Sequence, residues 1–325
     1  MKIEEYISLA PLTVFKIGGK ARFFCEVTNQ DEIREACVFA KSRKVPYVII
    51  GAGSNVLISD NGYEGLIIKM NMRSLSVDGT IVTADAGVSM AQVVAISIGV
   101  GLTGFEWGVG VPGTIGGSVR GNAGCYGSEM KDVVEKILVF DSDSGTARYI
   151  TNEQVGFGYR DSIFKVHPEI IILSTSLRLK KGDQSESRAR ITAYSRARIS
   201  DAPQASGKIG RQEIGQLTAG STFKNVILSE DQKNNLLTKF PQIQNIFDAS
   251  KDSIIVPAGF LIDIAGLKGM QIGGAMISKH HANFIINTGE ASAQNVIDII
   301  RFVKEKIYET FGITLEEEIQ CIGFE

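Results

Sequence analysis

The stretch Trp107–Tyr126 reads WGVGVPGTIGGSVRGNAGCY, with glycine at 108, 110, 113, 116, 117, 121 and 124 and again at 127. Pro112 and the apolar residues Val109, Val111, Ile115 and Val119 are set among the glycines. Glycine at this density removes side chains where a backbone must turn with positive φ or approach a ligand closely. Successive bare amides in such turns form concave nests that hold phosphate. A flexible linker is also rich in glycine, but its other residues are Ser, Gln and Pro rather than Val, Ile and Trp. The stretch therefore reads as a folded loop that cradles an anionic ligand.

Upstream, the chain alternates strands and helices. Lys20–Val27 (KARFFCEV) reads as a strand after the turn at Gly18-Gly19, and Asp31–Lys44 as an amphipathic helix with Ile33, Ala36, Cys37 and Ala40 on one face. The apolar strand Val45–Ile50 runs directly into a second glycine-rich loop, Gly51-Ala52-Gly53-Ser54-Asn55. A strand meeting GxG invites a dinucleotide-fold reading, but Val56 stands where that fingerprint needs its third glycine. Residues 56–70 read as a strand (Val56–Ile58), a turn (Asp60-Asn61-Gly62) and a second strand (Gly65–Met70), with no helix to receive a pyrophosphate. The loop either holds phosphate on its own amides, with Ser54 and Asn55 as added donors, or is simply a tight hairpin turn.

Downstream, strands are expected at Thr80–Ala86, Val134–Asp141, Thr146–Ile150 and Ile170–Leu179, and a helix at Ser89–Ile98 stopped by Gly99–Gly101. Composition shifts near Lys180. Residues 181–215 are polar and carry Arg188, Arg190, Arg196, Arg198 and Arg211, which read as a solvated helix face or as anion clamps. A new apolar region opens at Leu217. Pro257–Ala265 is helix-like and Asn283–Asn287 a strand. The clearest helix lies near Ala291–Phe311, where Val296, Ile299, Ile300, Val303 and Ile307 form one stripe and Gly312 ends it. A terminal strand over Ile313–Ile322 puts Glu316 and Glu318 on one face and Glu317 on the other.

Composition narrows the function classes. The 325 residues are 44% hydrophobic and 22% charged with a formal net charge of −2, an ordinary globular balance. Near-neutrality argues against a chain built to grip nucleic acid or an acidic membrane. No apolar run is long enough to cross a bilayer, and MKIEEYISLAPLTVF lacks a signal-peptide core, so a cytoplasmic protein is expected. The four cysteines (Cys25, Cys37, Cys125, Cys321) form no CxxC pair, and with only three histidines no metal site is expected.

The same scarcity of histidine limits hydrolytic chemistry. There is no Walker pattern and no GxSxG elbow, and a Ser-His-Asp triad lacks an evident base. Two phosphate nests joined by an extended pocket suit a dinucleotide pyrophosphate. Ser221, between Gly220 and Thr222, is either a proton-relaying hydroxyl or a turn or cap serine. Arg160, in Tyr159-Arg160-Asp161-Ser162, is either a bidentate carboxylate clamp or half of a surface ion pair. Taken alone, the three terminal glutamates read as solvated.

Taken together and in order, the motifs are more specific. GAGSNVLISDNGYEG at 51–65, GVPGTIGG at 110–117, NAGCYG at 122–127 and YRDSIFK at 159–165 are succeeded by AGSTFKN at 219–225. AGLKGMQIGGA at 265–275, KHHANFIIN at 279–287 and LEEEI at 315–319 complete the series. In order and spacing, over most of its length, the chain resembles the UDP-N-acetylenolpyruvoylglucosamine reductase family of flavoenzymes, which serves peptidoglycan precursor synthesis and so cell-wall biogenesis, cell shape and division.

The resemblance implies an α+β chain with an FAD-binding fold of the vanillyl-alcohol-oxidase (PCMH) type. Two FAD-binding subdomains, 1–72 and 73–182, would precede a C-terminal α+β substrate domain at 183–325. It implies non-covalent FAD held by Gly51, Ala52, Gly53, Ser54 and Asn55 and by Gly110, Pro112, Gly113, Thr114, Gly116 and Gly117. Asn122 and Gly124, in the Asn122–Gly127 loop, would lie close to the isoalloxazine. NADPH is the implied hydride donor and UDP-N-acetylglucosamine enolpyruvate the substrate. Arg160 corresponds to the family's carboxylate-binding arginine, Ser221 to its proton donor and Glu318 to its third catalytic group. Tyr159, Asn225 and His281 are implied substrate contacts. The short path from Lys165 to Leu179 matches the subgroup without a substrate-gripping tyrosine loop.

The chain departs from the family pattern at three points. Val226 comes after Asn225 where proline is usual, the 199–217 approach to the serine is atypical, and Gln320 replaces an arginine of some members. Which of Arg198, Lys208 and Arg211 meets the substrate diphosphate stays open. A monomer without nucleic-acid or membrane partners is expected. The competing expectations are a flavin oxidase of the same fold, for which Cys125 would be the attachment point to watch, and a non-catalytic flavin-binding module. The latter would be expected to have lost Arg160, Ser221 or Glu318.

Overall fold

A computed structural model describes residues 1–199, 217–241 and 254–324. The chain divides into two units, the first made of residues 1–12, 19–54 and 61–196 and the second of 13–18, 55–60 and 197–325.

The first unit holds two sheets. One runs in the order Glu4–Ser8, Lys20–Val27, Tyr63–Met70, Tyr47–Ile50, antiparallel at its first pair and parallel thereafter. Its crossover helix, Gln30–Arg43, starts where Asn29 accepts the Glu32 N–H and stops at Lys44, whose φ of 54° ends the helical run. Ile33, Ala36, Cys37 and Ala40 pack on Phe23, Cys25, Val27, Ile68 and Met70, so the intervening residues Phe24, Glu26, Ile67 and Lys69 lie on the opposite face of the sheet. The other sheet is antiparallel, in the order Thr146–Thr151, Val134–Asp141, Ile170–Arg178, Ile81–Asp85, Leu75–Asp78. The helix Met90–Gly99, opened by a Ser89/Gln92 capping box, and the buried side chains of Phe105, Trp107, Ile115 and Val119 share one apolar core with both sheets.

The loop after Ile50 leads into strand Val56–Ile58 and then Tyr63–Met70, with no helix between, as the missing third glycine requires. The polar segment beyond Lys181 folds as the helix Gln184–Ile199. Arg188 and Arg196 are exposed on it, while Arg190 is drawn onto Glu106 at 3.3 Å. Arg198 lies in its last turn; Lys208 and Arg211 lie outside the described residues.

In the second unit, Gln271–Ile272, Ala275–Ile277 and Ile285–Asn287 form a small antiparallel sheet, and Val226–Leu228 pairs with Ile254–Val256. The helix Ala293–Phe311 buries the expected stripe together with Ala293 and Phe311. Gly312, at φ 68°, closes it. Asp60 closes its other end, accepting the N–H groups of Ala293 and Gln294 at 2.8 and 3.0 Å. The terminal segment does not form the single strand expected over Ile313–Ile322. Glu316 and Glu318 bond across to Lys224 and Thr222, and only Gln320–Ile322 forms a regular strand, parallel to Val56–Ile58. The segment changes partner at Ile319, which is why one continuous ladder is not seen. Among the described residues, no helix is long and apolar enough to cross a membrane.

Candidate active site

The two glycine loops, far apart in sequence, meet in the first unit. Ser54 Oγ donates to the Pro112 carbonyl at 3.3 Å. A Cβ added to Gly51 would lie 2.4 Å from Thr114 Oγ1, and one added to Gly113 would lie 3.0 Å from Ser54 Oγ. Side chains are thus missing at the points where the loops approach each other, and Gly113 also needs a φ of 126° that only glycine adopts readily. Gly116 is empty for another reason. Its Cβ would stand 2.8 Å from the Ala86 Cβ, so the bare position lets the short helix Ile115–Arg120 sit on the sheet. Asn55 belongs to the second unit, where its side-chain N–H donates to the Glu318 carbonyl at 3.1 Å.

Asn122 is fully buried at φ 41°. Its amide donates to Glu129 and Gly158, both at 2.8 Å, and accepts the Lys131 N–H at 3.0 Å, so the side chain serves to lock its own loop. That loop anchors Arg160. The guanidinium donates to the Gly124 carbonyl at 2.9 Å and to the Asn122 carbonyl at 3.5 Å, and stands 5.3 Å from the Tyr159 ring centroid. Arg160 itself has φ 54°, inside the Gly158–Asp161 turn, and its carbonyl accepts the Lys165 ammonium. A non-glycine residue held in the left-handed region at a motif position marks a turn that its surroundings over-determine. The Cys125 thiol donates to the Trp107 carbonyl at 3.0 Å.

Ser221 and Glu318 lie on neighbouring strand-like segments of the second unit. Ser221 is bridged to Phe284, and the Glu318 N–H donates to the carbonyl of Thr222, the next residue after Ser221, at 2.8 Å. The glutamates differ in surroundings. Glu316 pairs with Lys224 at 3.0 Å and Glu317 with Lys304 at 2.9 Å, whereas the Glu318 backbone is held between Thr222 and Asn55. The Asn225 side-chain carbonyl accepts the N–H of Ala258 at 3.3 Å, capping the helix that begins there. His281 is buried, its Nδ1 accepts the Asn283 N–H at 3.3 Å, and its ring packs 4.5 Å from Phe284. Arg160 belongs to the first unit and Ser221, Glu318, Asn225 and His281 to the second.

Two family models match this chain. Residues 21–150 match the family model of an FAD binding domain, and residues 212–322 match that of the C-terminal domain of UDP-N-acetylenolpyruvoylglucosamine reductase. The reductase of that name from Caldanaerobacter subterraneus is 34% identical over 312 residues, covering 96% of this chain and 90% of the relative. That from Anoxybacillus flavithermus is 34% identical over 323 residues, covering 99% and 94%. The crystal structure of the Thermus caldophilus enzyme is 30% identical, with a TM-score of 0.75 over 99% of each chain. The chain belongs to the UDP-N-acetylenolpyruvoylglucosamine reductase family.

The family's cofactor is FAD, and the first unit fits it. Two bare loops in mutual contact, with Gly51–Ser54 and Gly110–Gly117 free of acidic side chains, form a cradle suited to a diphosphate. Three residues that motif reading passes over hold the frame. Asn283, 3% exposed, accepts the Phe223 N–H at 3.0 Å and donates to the Phe223 carbonyl at 2.8 Å, fixing the segment that carries Ser221. The one sequence signal for it is a polar residue inside the apolar run of KHHANFIIN. Glu106, 4% exposed, accepts from Thr103 Oγ1 at 2.5 Å, the Gly104 amide at 2.7 Å and Ser187 Oγ at 2.7 Å. Lys69 donates to the Gly51 carbonyl. Neither Glu106 nor Lys69 has a local sequence signal, because their partners are set by tertiary structure.

Proposed function

We propose that this chain catalyses NADPH-dependent reduction of UDP-N-acetylglucosamine enolpyruvate to UDP-N-acetylmuramate, with non-covalent FAD, for peptidoglycan precursor synthesis. When bound, FAD would supply the redox chemistry, the net transfer of a hydride from NADPH to the methylene carbon of the enolpyruvyl ether. Every other requirement falls on the protein. Gly51–Asn55 and the residues Gly110, Pro112, Gly113, Thr114 and Gly117 hold the diphosphate, with Gly116 seating their helix on Ala86, Gly124 nearby and Asn122 fixing its loop. Arg160 binds the substrate carboxylate and offsets the negative charge that grows beside it, a contribution worth about 100-fold or more in rate. The carbon next to the carboxylate then needs a proton, and Ser221 Oγ delivers it. One hydride and one proton together saturate the double bond. Glu318 is the third catalytic group, and Tyr159, Asn225 and His281 position the substrate.

The observation that carries this reading is the backbone bond from the Glu318 N–H to the Thr222 carbonyl, which joins the segment of Glu318 to the segment of Ser221. A hydroxyl delivers a proton best when an ionisable group stands by to adjust its charge. We further infer a cytoplasmic monomer, with FAD-binding subdomains at 1–72 and 73–182 and a substrate domain at 183–325. The change from one sheet to the next between Met70 and Leu75 supports the first boundary.

The test separates the half-reactions in an anaerobic stopped-flow instrument. Ser221→Ala should let NADPH bleach the flavin at nearly the wild-type rate, while re-oxidation by the enolpyruvyl substrate slows by about 100-fold or more. Equal loss in both halves would sink the proton-donor role. Flavin that bleaches but never recovers with substrate in the wild type would point instead to an oxidase.

A further inference from the structure

The two glycine loops contain no lysine or arginine, so any cation that complements a diphosphate there comes from another part of the fold. Lys69 is placed to supply it. It lies in the central strand Tyr63–Met70, in register with Glu26 on one side and Ile50 on the other. Ile50 is the last residue of its strand, and Gly51 opens the loop. From a half-buried position on the sheet face opposite the crossover helix, the Lys69 ammonium reaches one residue past the end of the neighbouring strand and donates to the Gly51 carbonyl. Burial pulls the lysine pKa down, and the Glu26 carboxylate works to raise it again. Glu26 is itself bonded by the Asn71 amide at 3.4 Å, so the counter-charge is tethered.

We propose that Lys69 is a positioning residue for the FAD diphosphate, acting through the Gly51 carbonyl and through its charge. In a trans peptide the carbonyl and the N–H of the next residue point to opposite sides. With the Gly51 oxygen held toward Lys69, the Ala52 N–H is turned to the opposite side, away from the ammonium. Gly51 has no side chain to fix that peptide plane sterically, and none fits, since a Cβ would meet Thr114 Oγ1 at 2.4 Å. An ammonium on the carbonyl fixes the plane without occupying the cradle. The same ammonium contributes a positive charge from a partly desolvated site, where it is screened less than a surface lysine.

This inference rests on the reading that the two loops hold the diphosphate, and the experiment distinguishes the two. FAD release from the holoenzyme is monitored as the recovery of free flavin fluorescence on dilution, with apoprotein melting temperature as a check on folding. Lys69→Met removes donor and charge and should release FAD at least about tenfold faster, with an apoprotein that still melts cooperatively. Lys69→Arg should restore slow release, and Lys69→Gln, a neutral donor, should recover part of it. Lys69→Met or Lys69→Gln holding FAD at the wild-type rate, with Gly51→Ala releasing it rapidly, would overturn the role of Lys69 and leave the loop reading standing. Gly51→Ala holding FAD at the wild-type rate would overturn the loop reading, and the inference with it. Equal loss in Met, Gln and Arg variants would show that only the shape of the lysine stem matters, which also overturns the proposal.

Discussion

Glu106 shows how one buried charge can organise a region without touching any ligand. Burial works to raise its pKa, but the hydroxyls of Thr103 and Ser187 and the backbone amides around Gly104 outweigh it and hold the carboxyl below its ordinary value. Ser187 and Arg190 lie on the helix Gln184–Ile199, so the carboxylate ties that helix to the turn before Trp107. A group whose folded pKa is depressed contributes stability that is complete above its unfolded pKa, about 4.3, and is lost as pH falls through the folded value. Glu106→Gln should therefore cost about 1.5–3 kcal/mol at pH 7, the range for hydrogen bonds to a charged group. Thermal melts at a series of pH values should show the gap between wild type and variant closing as pH falls below the ordinary carboxyl value and the wild-type carboxyl gains its proton. A gap unchanged between pH 7 and 3 would mean that shape, not charge, fixes the helix. Residues such as Arg160, Ser221 and Glu318 are legible because short motifs surround them. Glu106 and Lys69 are not, because their partners Ser187 and Gly51 stand 81 and 18 residues away, and Asn283 lies in a motif that does not name its partner Phe223, 60 residues away. Nothing local demands those pairings.

Elements are legible in proportion to their periodicity. The helix Ala293–Phe311 declares itself by an apolar stripe and a closing glycine, and the structure buries the same side chains. Its start carries a local capping box of Ser292 and Asn295, whereas the second cap, Asp60, comes from a turn 233 residues earlier and has no local signal. The terminal segment looks uniform in sequence yet divides its bonds between two partners, a choice made by neighbours rather than by propensity. The helix Ile115–Arg120 is the instructive case at this scale. Its glycines suggest room for a ligand, but at Gly116 the room is taken by Ala86. Gly116→Val should therefore push the helix off the sheet and act twice. FAD should be lost from the purified protein, and the apoprotein should be destabilised by about 1–3 kcal/mol, as overpacking does. Calorimetry of the apoprotein separates the causes. An apoprotein of wild-type stability that nonetheless fails to retain FAD would show that the valine crowds the cofactor directly and that the Ala86 contact is yielding.

For the molecule as a whole, the chain order conceals the unit order. Residues 13–18 and 55–60 leave the first unit to join the second, where Phe15 accepts the Asn287 amide at 3.0 Å and Val56–Ile58 pairs with Gln320–Ile322. A composition shift near Lys180 can mark where a late region begins, but no linear reading expresses an early segment pairing with the C-terminus. Parallel pairing over that separation is a product of folding, not of local preference. This division makes the placement of the cofactor testable without any substitution. Gly51–Ser54 and Gly110–Gly117 all belong to the first unit. A ligand that binds only the folded state stabilises it by RT ln(1 + [L]/Kd), about 2.7 kcal/mol at a hundredfold excess over Kd, which slows amide exchange about 100-fold where opening is coupled to release. Hydrogen exchange with and without FAD should concentrate that protection in peptides covering 47–54, 63–70 and 110–127. Peptides from the helix Ala293–Phe311, which supplies none of the proposed cofactor contacts, should change far less. Protection centred on that helix, with 51–54 and 110–117 exchanging as in the apoprotein, would move the diphosphate away from the glycine loops and leave their mutual contact as a feature of folding alone.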